Sequence, residues 1–213
     1  MSSKFAKKWE EGELKGIRGI LNPSEPLKNR VELAIKRIEN QIQYIKDALN
    51  KLSERDRYLF DRIVDAYSKH QVPRARVLAN ELAEIRKMAN FMMSAELALE
   101  RVVLRLKTMS QLGNVVSALA PAAQVLQNVR AGLGGVLPDV GRELEQIGVS
   151  LSDLVIEAGE LTGVTPNFEV ANDEAQMIIK EAALVAEQKM REKFPDFLPT
   201  KAKEGTEESD LTK

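Results

Sequence analysis

The chain has 213 residues, 44% apolar, 30% charged and only 5% aromatic, a mix that builds helical seams but is poor in the bulk of sandwiches and barrels. It contains no cysteine, which excludes disulfides, thiolate metal sites and cysteine nucleophiles and suits a reducing cytoplasm. Residues 1–109 carry 22 Lys and Arg against 15 Asp and Glu, a net of +7, whereas residues 110–213 carry 9 against 17, a net of −8. The first half is therefore matched to an anionic partner, or to the second half folded onto it.

No apolar run approaches the roughly 18 residues of a membrane span, and the opening residues lack the apolar core of a secretory signal. Ser2 to Glu13 predicts a short amphipathic helix, with Phe5 and Trp9 one turn apart and Lys4, Lys7 and Lys8 close by. Glycines at 12, 16 and 19 loosen the chain before Pro23 and Pro26 open a new element. From Leu27 to Lys69, Val31, Ile35, Ile38, Ile42, Ile45, Leu49, Leu52, Leu59, Ile63 and Ala66 keep an alternating four–three spacing, interrupted only at Asp56. That seam predicts one helix roughly 65 Å long, paired with another helix.

The run from His70 to Pro73 predicts a tight reversal. The second seam, from Leu78 through Leu82, Ile85, Met92, Leu99, Val102 and Leu106, completes an antiparallel hairpin over about 27–112. Gly113 and Pro121 are the candidate hinges, with Pro121 expected to kink or end the helix. A third helix from about Pro121 to Arg130 is expected to run into a flexible joint at Gly132, Gly134 and Gly135. Two short helices follow, Asp139 to Ile147 and Ser152 to Leu161, the second capped by Ser152. Asn172 to Lys193 is again amphipathic, with Met177, Ile178, Leu184, Val185 and Met190 as its apolar positions. The expected fold class is all-α, with no strand.

Enzymatic motifs are absent. The one histidine, His70, reads as a turn or helix-end residue rather than a base or ligand, and the glycines near 134 lack the lysine and serine of a phosphate-binding loop. The acidic residues lie on helix faces without the paired geometry of acid–base work. No catalysis, cofactor or metal is expected.

The charges of the first long helix are segregated instead. Arg30, Arg37 and Lys51 share one heptad row with Tyr44 and Tyr58, and Arg55, Arg62 and Lys69 occupy the row beside it. Asp47, Glu54 and Asp61 fall on the back. Intrahelical pairing accounts for some of these charges, but segregation along the helix points to an anionic surface or to the acidic face of a neighbouring copy. Phe5 and Trp9 either insert in lipid beneath the three lysines or dock on the hairpin's own core. The flat overall charge balance argues against nucleic acid.

The basic hairpin, the softer helices after a Gly and a Pro, and the acidic second half together resemble ESCRT-III. The stretch from Leu27 to Leu161 is most similar to the archaeal CdvB family of cell-division proteins in its short form, above all in Gly134-Gly135-Val136-Leu137-Pro138-Asp139-Val140 and in Glu143, Leu144 and Ile147 after it. The resemblance implies an organisation into a segment and linker (1–22), a helical core (23–161, its later helices about 114–161), a linker with acidic helix and proline strip (162–199) and a tail (200–213). It implies a polymer subunit that co-assembles with itself and with related paralogues on the cytoplasmic face of the membrane at the division site, and drives constriction and scission. It also implies that an AAA ATPase disassembles the polymer and that the acidic C-terminal region folds back over the basic hairpin. The strip Phe194-Pro195-Asp196-Phe197-Leu198-Pro199 resembles the family's ATPase-binding motif in composition but not in spacing, and reads equally as a helix terminator. The winged-helix-like region of the longer family form has no counterpart here. The alternative to a membrane polymer is a soluble coiled-coil adaptor or scaffold.

Overall fold

A computed structural model describes residues 26–112 and 115–194. Lys4, Phe5, Lys7, Lys8, Trp9, Gly113, Pro195, Phe197, Leu198 and Pro199, with the segments 1–22 and 200–213, lie outside the described residues. Every regular element among the described residues is a helix: α1 (Leu27–Ser68), α2 (Val72–Leu112), α3 (Val115–Leu133), α4 (Pro138–Thr162) and α5 (Phe168–Lys193).

α1 and α2 form the expected hairpin, and the reversal has a definite chemistry. The His70 N–H donates to the Tyr67 carbonyl and the Gln71 N–H to the Ala66 carbonyl, at 3.0 and 2.9 Å. This crossed pair satisfies carbonyls that a helix end leaves open, and it requires a left-handed residue at its centre. His70 fills that position with φ of 57°, so the one histidine is indeed a helix-end residue.

The hairpin seam carries two apolar cores. The larger runs from Leu27 to Leu49 on α1 and from Ala89 to Leu106 on α2, and continues into α3, α4 and α5. The smaller lies at the tip: Leu59, Ile63, Ala66, Ala75, Leu78 and Leu82. Between them sits Asp56, the residue that interrupts the heptad pattern. It is 5% exposed, and Arg86 holds it through two hydrogen bonds, Nε to Oδ1 at 2.7 Å and Nη2 to Oδ2 at 3.3 Å. A buried carboxylate without such a fork would be strongly destabilising.

Three sequence expectations are corrected. Pro121 neither begins nor ends a helix, because α3 starts at Val115 and runs through it to Leu133. Gly132 belongs to that helix rather than to a flexible joint, and a Cβ there would fall 2.0 Å from the ring of Phe91; the missing side chain is what lets α3 seat on α2. α4 is one continuous helix rather than two short ones, and Ser152, expected to cap the second, bonds the Gly148 carbonyl within it at 3.0 Å.

α5 departs from expectation in a more consequential way. Its N-cap is Asn167, whose side chain accepts from the N–H groups of Glu169 and Val170 at 3.1 and 3.2 Å, so the helix opens before Asn172. Its buried residues are Ala171, Ala175, Ala182 and Ala186; of the positions read as its apolar face, Met177, Leu184 and Val185 are exposed, whereas Ile178 and Met190 are half-buried against the core. Methyl groups let α5 lie close along α2 and α3, but each buries little, on the order of 0.8 kcal/mol per carbon. α5 is lightly held.

Candidate functional site: the charged faces of the hairpin

The basic half and the acidic half of the chain are joined by ion pairs. Arg30 reaches Glu157 of α4 at 2.5 Å, and Arg37 donates to Glu143 at 2.8 Å and to Gln146 at 3.1 Å. As α1 ascends, its partners on α4 descend, so the two helices run antiparallel. On the other flank, Arg101 of α2 meets Glu181 of α5 at 2.8 Å, and Arg105 pairs with Glu174. All these groups are partly exposed, so each pair contributes at most about 1 kcal/mol and weakens in salt. The fold-back expected from the charge split is present, made of contacts that are individually cheap to exchange.

Arg105 does more than pair. Pro121 has no N–H to give the carbonyl four residues before it, the Ser117 oxygen, and Arg105 Nη2 donates to that oxygen at 3.1 Å. One guanidinium thus ties α2, the proline turn of α3 and α5 together. Ser117, Pro121 and Glu174 also line a cavity of about 210 Å³ closed by Val164, Thr165, Pro166 and Asn167 of the α4–α5 connection.

The two rows of cations predicted on α1 fare differently, because α4 covers only the start of the first. Arg30 and Arg37 lie under α4. Lys51 and Tyr44 line an open groove of about 800 Å³ beside the start of α4, with Gln41, Asp47, Asp139 and Glu143. Beyond it, no ion pair or hydrogen bond of Arg55, Tyr58, Arg62 or Lys69 reaches α3, α4 or α5 among the described residues. Arg55 meets Glu81 of α2 at 2.7 Å, and that hydrogen bond raises its pKa. Lys69 pairs with Asp65 one turn back at 2.8 Å. Arg55 and Arg62 flank the Tyr58 ring at 5.6 and 5.5 Å from its centroid, and Tyr58 itself is exposed.

Within the hairpin, Lys46 lies between Glu100 at 2.8 Å and Glu96 at 3.6 Å. The hydrogen bond to Glu100 raises its ammonium pKa above the ordinary value, while burial pushes the Glu96 carboxyl up. Phe194, the first residue of the proline strip, is buried and lines a cleft with Leu49, Asn50, Ser53, Arg57 and Met93. Sequence reasoning assigns no role to Arg101 and Arg105. Their signal was present: they stand one turn apart and off the Leu99–Val102–Leu106 seam, as Glu174 and Glu181 stand two turns apart on α5.

No family model matches the chain, and no solved structure does either. Cell division protein B1 of Sulfolobus acidocaldarius is 37% identical over 197 residues, 92% of this chain and 91% of the relative. The chain belongs to the CdvB family of cell-division proteins. Cell division protein B of the same organism is 33% identical over 166 residues, which cover 78% of this CdvB-type chain and 63% of that longer relative. The all-helical hairpin architecture is ESCRT-III-like, as the sequence implied.

Proposed function

We propose that this CdvB-type chain is a membrane-remodelling polymer subunit that assembles into filaments on the cytoplasmic face of the membrane and drives constriction and scission in archaeal cell division. The observation that carries this reading is the exchangeable clasp between the basic hairpin and the acidic helices: Arg30 and Arg37 on α4, Arg101 and Arg105 on α5. Every cation released by that clasp becomes available to an anionic surface, at about 1 kcal/mol per residue near the membrane. The fully buried residues within α5 are alanines, which keeps the cost of release below that of a leucine-packed helix. Lipid contact is through Phe5, Trp9, Lys4, Lys7 and Lys8, joined by Arg30 and Arg37 once α4 withdraws.

Disassembly is by an AAA ATPase acting on 194–199. In the closed arrangement Phe194 is packed against the hairpin, so pulling on the strip also lifts the end of α5. No helix among the described residues is long and apolar enough to cross a membrane, which leaves peripheral attachment as the mode proposed.

Vesicle flotation tests the lipid step. The wild type is expected to float with anionic phospholipid and not with neutral phospholipid, and Trp9→Ala or charge reversal of Lys4, Lys7 and Lys8 is expected to leave most protein at the bottom of the gradient. Equal flotation with both vesicle types, unchanged by these substitutions, removes the membrane reading. Negative-stain microscopy tests the polymer step: a small oligomer at every concentration, with and without vesicles, would point to a soluble adaptor.

A further inference from the structure

The basic flank of α1 continues, in the adjoining heptad row, past the part that the chain covers itself. In the covered part, Arg30 and Arg37 stand seven residues apart and both bind carboxylates of an antiparallel helix. In the uncovered part, Arg62 and Lys69 repeat that spacing, with Tyr58 one turn before Arg62. Arg62 donates to the Tyr58 hydroxyl at 3.2 Å and has no carboxylate partner among the described residues. Among the described residues Lys69 is held only by the exposed Asp65 one turn back, a pair worth a few tenths of a kcal/mol.

The outward face of α4 is the complement of this row. Asp153 and Glu160 are exposed, seven residues apart, and in no ion pair among the described residues. Between and beside them stand Val149 and Ile156, 58% and 56% exposed and also seven residues apart. The four follow at i, i+4, i+7 and i+11, a single helix face. Seven residues of helix rise about 10.5 Å, so two carboxylates on α4 meet two cations on α1 at one spacing, and with the two helices parallel Val149 falls level with the Tyr58 ring. The acidic residues on the back of α1, Asp47, Glu54 and Asp61, repel an acidic helix from that side, and Asp65, within the basic flank, is already paired with Lys69.

We infer that the outer face of α4 in one copy of this chain, Val149, Asp153, Ile156 and Glu160, docks on the uncovered α1 row of a second copy, Tyr58, Arg62 and Lys69. This rests on the filament reading above and names a contact within it. A chain does not make this contact with itself, because its own α4 is held along the Arg30–Arg37 end of its own α1, 25 residues of helix before Arg62. The contact joins two different surfaces, so it is heterologous and repeats head-to-tail from copy to copy, as a filament or a ring requires.

Two charge-reversed variants of the full chain test it: Asp153→Lys/Glu160→Lys, and Arg62→Glu/Lys69→Glu. Sedimentation and negative-stain microscopy read assembly, with and without vesicles of mixed phosphatidylcholine and phosphatidylglycerol. Each variant alone is expected to need about ten-fold more protein or more to assemble, because like charges then face each other. An equimolar mixture is expected to regain wild-type assembly, since every contact can be matched by alternation. A variant that fails to fold cannot be rescued this way, and Arg62→Gln/Lys69→Gln supplies a gentler loss without reversal.

Normal assembly by both reversed variants, with the wild type assembling, overturns the contact and leaves the filament reading standing. Loss of vesicle binding by the α1 variant alone, without rescue by mixing, assigns the row to lipid and also overturns it. No assembly by the wild type under any condition overturns the filament reading itself and the contact with it.

Discussion

Replacing Arg105 with Met removes the donor that the proline turn of α3 depends on. A hydrogen bond from an ionised donor contributes about 1.5–3 kcal/mol, and Arg105 is 33% exposed, so water recovers part of the loss and the lower end applies. Losing the Glu174 pair adds less than about 1 kcal/mol. The total is about 2 kcal/mol, which moves the urea midpoint by about 1 M for a chain of this size. A second substitution isolates the mechanism. Pro121→Ala returns an N–H at the position that faces the Ser117 carbonyl, so Arg105→Met in that background costs only the ion pair. The double-mutant cycle, measured by urea unfolding, is therefore expected to show about 1 kcal/mol of coupling. Equal destabilisation by Arg105→Met with and without the Pro121→Ala substitution would refute the assignment of Arg105 as the substitute for the missing proline donor.

His70→Gly relieves a left-handed residue at the hairpin reversal and is expected to raise stability by about 0.5–1 kcal/mol, read as a higher thermal midpoint. Asp56→Ala removes the carboxylate that forks onto the part-buried Arg86 and is expected to cost about 3 kcal/mol, whereas Asp56→Leu with Arg86→Met is expected to be near neutral by chemical denaturation. Lys46 has its pKa raised by Glu100, so its contribution to stability is fully present below its ordinary value of 10.5 and is lost as pH rises through the raised folded value. The difference in melting temperature between wild type and Lys46→Met is accordingly expected to be flat through neutral pH and to shrink on the alkaline side.

The long hairpin was legible because its buried side chains are large and its seam is regular: Ile38, Ile45, Leu99 and Leu106 each recur at the heptad interval. Asp56 was legible as an interruption but not as half of an ion pair, since its partner Arg86 stands 30 residues away. α5 misled because hydrophobicity reading weighs Met177 and Leu184 above Ala175 and Ala182, while close helix approach selects the small residues. Pro121 misled for a related reason. Proline is costly in a helix when judged within that helix, and the compensation comes from Arg105 on another one. For the cation rows, the sequence supplied the residues and their alignment, but only the fold reveals that α4 covers the start of the first.

The tip of the hairpin beyond Asp56 and Arg86 is held by six buried side chains from two helices alone, whereas the base is clamped by three further helices. Local opening free energy follows local burial. Amides of α1 past Asp56 and of α2 before Arg86 should therefore exchange together, well ahead of those at the base. A rod with one stiff end and one yielding end bends at a fixed place. In the filament proposed above, such rods would take up changes of radius at the tips and leave the base of every subunit undeformed.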